Sequence, residues 1–176
     1  MSVEIHPLAS VAPEAQLGTN ITIGPFAVIE PDVEIGDGST IYSHATLLNG
    51  SRIGQDCSIF PGAVIGAVPQ DLKFKGEQTF AIIGDRTVIR ECATINRGTD
   101  ATGRAIIGKD CLIMAYCHVA HDCSVGDHVV MSNVSQLAGH VTIGNWVILG
   151  GLAKIIQFCS VGDHAMIGAD CKVTKD

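Results

Sequence analysis

The sequence predicts an all-β solenoid, a narrow three-sided prism of short parallel strands stacked coil upon coil. Three observations carry that prediction. An aliphatic residue recurs at every sixth position, and a small residue stands two places before it. Aromatics make up only 5% of the chain although 47% of it is hydrophobic. A core this poor in rings suits thin, repeated layers, and 176 residues are enough for one domain with a sizeable core.

The phase starts at Ile5 and runs through Ile23, Ile41 and Ile59 to Ile167 and Val173. Of 29 such positions, 25 are Ile, Leu or Val and one is Met131; the exceptions are Asp71, Glu77 and Ala101. No α-helix or meander keeps that period. Residues i and i−2 of an extended segment face the same side, so Ala27, Ala45, Ala63, Ala93 and Ala153 share the inward face with the aliphatics. One large and one small inward side chain per hexad fits a prism with a corner at every hexad, three hexads making an 18-residue coil. Glycine often follows the aliphatic, as at Gly36, Gly54 and Gly108, where the missing Cβ is expected to ease a sharp turn. Six of the seven cysteines, all but Cys92, fall in the small inward slot and read as packing residues. The odd count and the lack of an export signal argue against a disulfide framework.

The three exceptions place loops at about 68–80 and 98–105 within a single domain spanning 1–176. Both loops fall in a basic stretch, Lys73 to Lys109, with seven cations against four acids inside a chain of net charge −7. That stretch is either an ordinary solvated surface or an anion-attracting face; the overall acidity disfavours broad nucleic-acid binding. Loops leaving a regular scaffold often carry function, though a scaffold also tolerates idle insertions. The N-terminus lacks the basic and apolar regions of a signal peptide, and apolar runs such as Trp146–Leu149 are too short for a membrane span, so a cytoplasmic protein is expected. The repeat reaches the last residues without a cap, which leads one to expect a truncated chain or a partner over that end.

Chemistry concentrates in Cys117–Gly126. His118 lies between the inward Cys117 and Val119 and so points out of the prism, whereas His121 and Asp122 occupy a corner. One coil further on stand Gly139 and His140, and one beyond that Gln157. Coils lie about 4.8 Å apart, so His121, Gly139 and Gln157 form a stack offering a base, a backbone N–H and a polar side chain. That is a plan for acyl transfer in which the acceptor hydroxyl attacks directly. A histidine at such a corner is also ordinary surface, and the competing prediction is that His121→Ala changes nothing.

Five motifs add a resemblance: Ile65-Gly66 through Gln70-Asp71-Leu72-Lys73, Ile95-Asn96-Arg97-Gly98-Thr99, His118-Val119-Ala120-His121-Asp122, Leu137-Ala138-Gly139-His140 and Ile156-Gln157-Phe158. Together they resemble the acyl-carrier-protein:UDP-N-acetylglucosamine O-acyltransferases, which begin lipid A synthesis. The resemblance implies a left-handed parallel β-helix built from hexapeptide repeats. It implies His121 as general base, Asp122 as its orienting acid and the Gly139 N–H as oxyanion donor. Asp71, Lys73, His118, His140 and Gln157 would hold acceptor and acyl chain, with the acyl length measured near Gly168 and Ala169. The implied partners are a 3-hydroxyacyl carrier protein, UDP-N-acetylglucosamine and two further copies in a homotrimer; no cofactor or metal is implied. Asn96 and Ile156 depart from the histidines common there, which bears on whether the acceptor carries an acetamido or amino group. The resemblance also implies a C-terminal helical region, and this sequence is expected to stop before it, either by truncation or by lacking part of the usual site.

Three other readings compete. A zinc site of the γ-type carbonic anhydrase kind would use His118, His121 and His140, at a spacing unlike that family's. A β-helix used only as a scaffold needs none of this chemistry. An acyltransferase acting on an amine is expected to carry a further N-terminal domain.

Overall fold

The computed structural model describes residues 2–175. Its strands, two to four residues each, form three sheets of nine, nine and eight members, every pairing parallel, and the chain visits the three in rotation. The described residues contain no helix. This is a left-handed parallel β-helix. The first sheet begins at Val3–Ile5, the second at Ser10–Val11 and the third at Gln16–Leu17.

The sixfold aliphatics form one continuous core. Ile23, Ile41, Ile59, Ile89 and Ile113 climb the first sheet and Ile29, Leu47, Ile65, Ile95 and Val119 the second, all at most 2% exposed. Burying one such side chain contributes about 1.5–3 kcal/mol, so the stacked columns supply the main stabilisation. The small slots behave as expected, with Ala27, Ala45, Ala63, Ala93 and Cys117 buried beside them. Burial pushes the thiols up, to about 11 at Cys111 and about 12 at Cys123, which makes them inert packing groups. One cysteine departs: Cys171 occupies the inward slot of the last described coil and is exposed, because none of the described residues stacks over it.

The glycines after the aliphatics are there for a different reason from the one expected. A Cβ on Gly36 would lie 2.6 Å from the backbone of Gly54, and one on Gly84 would lie 2.6 Å from Gly108. They are selected by close stacking of coil on coil. The left-handed turn falls two residues later, on side chains such as Asp56 (φ 52), Asp122 (φ 59) and His140 (φ 62).

The loops are insertions of whole hexads. Partners in adjacent coils are normally 18 residues apart, as for Thr19 and Asp37, but 30 apart for Gln55 and Asp85 and 24 apart for Arg86 and Asp110. The two excesses account for the three lost hexad positions, which is why the phase resumes unbroken. The loops are slightly shorter than predicted: the first ends before the strand Phe80–Ile83 and the second before Arg104–Ile107. Within the basic stretch Arg86 pairs with Asp110 at 2.7 Å, Arg90 with Glu91 at 2.9 Å and Lys109 with Asp85 at 3.6 Å, the behaviour of a solvated surface.

Candidate active site

The corner between the second and third sheets places the predicted residues in two columns. His140 N–H donates to the His121 carbonyl and Phe158 N–H to that of Gly139, so His121, Gly139 and Gln157 stack in register beside Asp122, His140 and Phe158. A Cβ on Gly139 would lie 2.5 Å from His121 Cε1 and 2.7 Å from Nε2. Only glycine lets the backbone approach the imidazole this closely. The Gly139 N–H makes no hydrogen bond among the described residues.

His121 and Asp122 point away from the prism yet are only 5% and 7% exposed. For Asp122 the cover comes from the coil below, and for the His121 ring Gly139 packs close from the coil above. The second loop pinches shut where Gly98 meets the backbone of Arg104, and a Cβ there would fall 2.2 Å from the Arg104 nitrogen. The loop lies over Asp122. Oδ1 accepts from Thr99 N–H at 2.9 Å and from the Thr102 hydroxyl at 2.5 Å. Oδ2 accepts from the Thr99 hydroxyl at 2.7 Å and stands 2.8 Å from His121 Nδ1. Burial by itself would raise the pKa of Asp122, but the hydrogen bonds from Thr102, His121 and Thr99 outweigh it and hold the group at about 2. An ionised carboxylate only accepts, so the proton of neutral His121 sits on Nδ1 and Nε2 keeps its lone pair. His140 stands edge-on to His121, with ring centroids 5.1 Å apart, and stacks on Phe158 at 4.6 Å.

A cleft of about 410 Å³ opens at this corner, lined by Asp71, Lys73, His121, His140, Gln157 and Phe158, with Gln70 and Leu72 completing it. The first loop thus delivers Asp71 and Lys73 to the histidines, 50 residues away in sequence for Asp71 and His121. Asp71 Oδ1 accepts the Lys73 N–H at 2.9 Å, which shapes the loop tip. A second, larger groove of about 820 Å³ shares Gln157 and Phe158 with the cleft and crosses the second sheet over Val134, Leu137 and Ile156. Its walls are mostly apolar.

His118 lies in that groove and not in the cleft. Its Nδ1 is 2.7 Å from Thr94 Oγ1, and burial, with a smaller contribution from nearby His121, lowers its pKa. Gly168 and Ala169 are exposed and lie against Gly150, outside the cleft, at the corner between the first and second sheets. Asn96 is no sugar contact: it is 2% exposed and its Nδ2 donates to the carbonyls of Ala67 and Val68, anchoring the first loop. Ile156 is 45% exposed on the groove wall. Sequence reasoning did not single out Thr99 and Thr102 as partners of Asp122; the signals were the lost hexad at Ala101, one coil below, and the motif that ends in Thr99.

The donor atoms of His121, Asp122 and His140 lie within 4.8 Å of one another, whereas the zinc reading needed His118. The fit to a cation is poor. Both Asp122 oxygens are already engaged in hydrogen bonds, and Nδ1 of His121 is committed to one of them.

Repeat, prism and corner are those of the hexapeptide-repeat class of β-helix, and the family model "Bacterial transferase hexapeptide (six repeats)" matches residues 14–49 and 104–133. The chain belongs to the UDP-N-acetylglucosamine acyltransferase family. It is similar to the solved acyltransferase from Bacteroides fragilis, with 49% identity and a TM-score of 0.97 over 98% of this chain and 68% of that one. The solved enzyme from Moraxella catarrhalis is 41% identical, with a TM-score of 0.96 over 98% of this chain and 67% of that one. A curated acyl-carrier-protein–UDP-N-acetylglucosamine O-acyltransferase from Thermodesulfovibrio yellowstonii is 43% identical over 139 residues, 78% of this chain and 54% of the relative. The chain spans about half the length of the curated relatives it matches.

Proposed function

We propose that the corner at His121 transfers a 3-hydroxyacyl group from acyl carrier protein to the glucosamine 3-hydroxyl of UDP-N-acetylglucosamine, the first step of lipid A synthesis. One observation carries the reading. An imidazole whose Nδ1–H is fixed by an ionised Asp122 lines the cleft, its Nε2 free to accept a proton, with Gly139, whose N–H is unpaired among the described residues, packed close against the ring. Nε2 takes the proton from the 3-hydroxyl as its oxygen attacks the thioester carbonyl. The oxyanion forms at the Gly139 N–H. As the C–O bond is completed the C–S bond breaks, and the imidazolium returns the proton to the leaving thiolate.

Lys73 at the cleft mouth supplies a cation for an acceptor bearing phosphates. Asp71, His140 and Gln157 hold the sugar and the apolar groove beside His118 takes the acyl chain, whose length is limited near Gly168 and Ala169, outside the lining of both. Homotrimer formation is supported by the first sheet, whose outward column runs Leu112, Val130, Ile148 and Met166, the last two 42% and 76% exposed. Such a stripe is the material of a subunit interface. Among the described residues no helix is long and apolar enough to cross a membrane, and a nucleotide-activated acceptor with a carrier-protein donor suits the cytoplasm.

The test is turnover of UDP-N-acetylglucosamine with 3-hydroxyacyl carrier protein. His121→Ala is expected to lower kcat by roughly 10²–10⁴-fold. Equal turnover in both proteins would remove His121 as the base.

A further inference from the structure

The second loop has no role in the mechanism above, yet it makes three of the four hydrogen bonds to Asp122. We infer that Thr99 and Thr102 are positioning residues that act through Asp122 to hold His121 in its reactive tautomer and orientation. This rests on His121 being the base.

The geometry is specific. Each Asp122 oxygen faces one threonine hydroxyl, Thr99 at Oδ2 and Thr102 at Oδ1, the single proton of Thr102 being shared between Oδ1 and the Arg104 carbonyl 2.8 Å away, and the Thr99 N–H adds a further bond to Oδ1. The loop is braced from within. Thr99 Oγ1 accepts the Ala101 N–H at 3.2 Å, so its single proton is directed at the carboxylate, and the Gly103 N–H donates to the Thr99 carbonyl at 2.7 Å. The remaining lone pair of Oδ2 is thereby left for one donor, Nδ1 of His121. His140 Nε2 is the nearest competitor, and at 3.7 Å from the same oxygen it is beyond hydrogen-bond reach. Without the two hydroxyls the carboxylate would be free to rotate about its Cβ–Cγ bond, and as a weaker acid it would carry a proton at higher pH. Both changes uncouple His121. The six-residue insertion is thus a clamp on the second member of a dyad, delivered from the coil below.

Thr99→Val and Thr102→Val remove one hydroxyl each while keeping the side-chain shape. Each is expected to lower kcat and kcat/KM roughly tenfold to a hundredfold with KM for both substrates within about twofold. Thr→Ser at either position should restore both. A carboxyl-carbon NMR titration of Asp122, read independently of turnover, should show a raised pKa in each Val variant. A lowered melting temperature with kcat and the Asp122 titration both unchanged would mean that the threonines only brace the fold, and would overturn the clamp. His121→Ala run alongside separates the failures. If it is inactive while the Val variants match wild type, the clamp alone falls; if it is fully active, the base assignment falls and the clamp's catalytic role with it.

Discussion

Asp122 shows how one carboxylate is given a fixed role by its surroundings. Buried, it would be expected to hold its proton more tightly, yet four hydrogen bonds keep it ionised down to about pH 2. Because its folded-state pKa lies below the unfolded value, the stability it contributes is present above about pH 4 and is lost as the pH falls towards 2. Asp122→Asn should therefore flatten the acid side of the stability curve, as measured by denaturant melts from pH 2 to 7, and should cost activity at neutral pH by allowing the wrong imidazole tautomer. Gly139 permits an equally local test. A methyl group there would lie 2.5 Å from the His121 ring, so Gly139→Ala should displace the imidazole and lower kcat by about a hundredfold. Circular dichroism should be unchanged, since the backbone at Gly139 does not require a positive φ.

At the scale of elements, the two loops divide the labour. The first, anchored by Asn96 at its base, brings Asp71 and Lys73 to the cleft, and the second covers and clamps Asp122. Both are inserted in multiples of the hexad, so each can be lost without disturbing the stacking of later coils. Deleting Gly98–Gly103 restores the 18-residue spacing that operates elsewhere. The shortened protein is expected to keep its β-helix, seen by its far-ultraviolet spectrum, and to lose activity to at least the extent of the double Thr99→Val, Thr102→Val variant. Its failure to fold would mean that the loop stem, pinched at Gly98, is part of the scaffold.

Over the whole molecule stability is nearly one-dimensional, each coil burying its aliphatics against the coils above and below. Ile113 is fully buried in the middle of the first sheet. Ile113→Ala should cost about 2–5 kcal/mol in chemical denaturation, because neighbouring coils held by backbone hydrogen bonds cannot collapse into the space. The same rigidity holds His121, Gly139 and Gln157 in line: their spacing is that of the coils, and no loop sets it. Much of this was legible beforehand. Counting in sixes located the prism, the loops and the His121–Gly139–Gln157 stack, since a strictly repeated backbone converts sequence distance directly into height. It misjudged the glycines, whose constraint comes from the next coil and not from their own turn, and it set Cys171 in a core whose last layer is open.

By itself the sequence determined the coils, the inward and outward faces, and which side chains share a corner, because a period of six leaves one register in which all the aliphatics are buried. Only the tertiary structure decided that His121 and Asp122 are nearly sealed from water, that His118 belongs to the neighbouring groove, and that Thr99 and Thr102 grip the carboxylate. Those outcomes depend on the paths of two aperiodic loops across the outside of the prism. A loop's path is set by hydrogen bonds to residues distant in the chain, such as Thr99 to Asp122, and no local pattern encodes it.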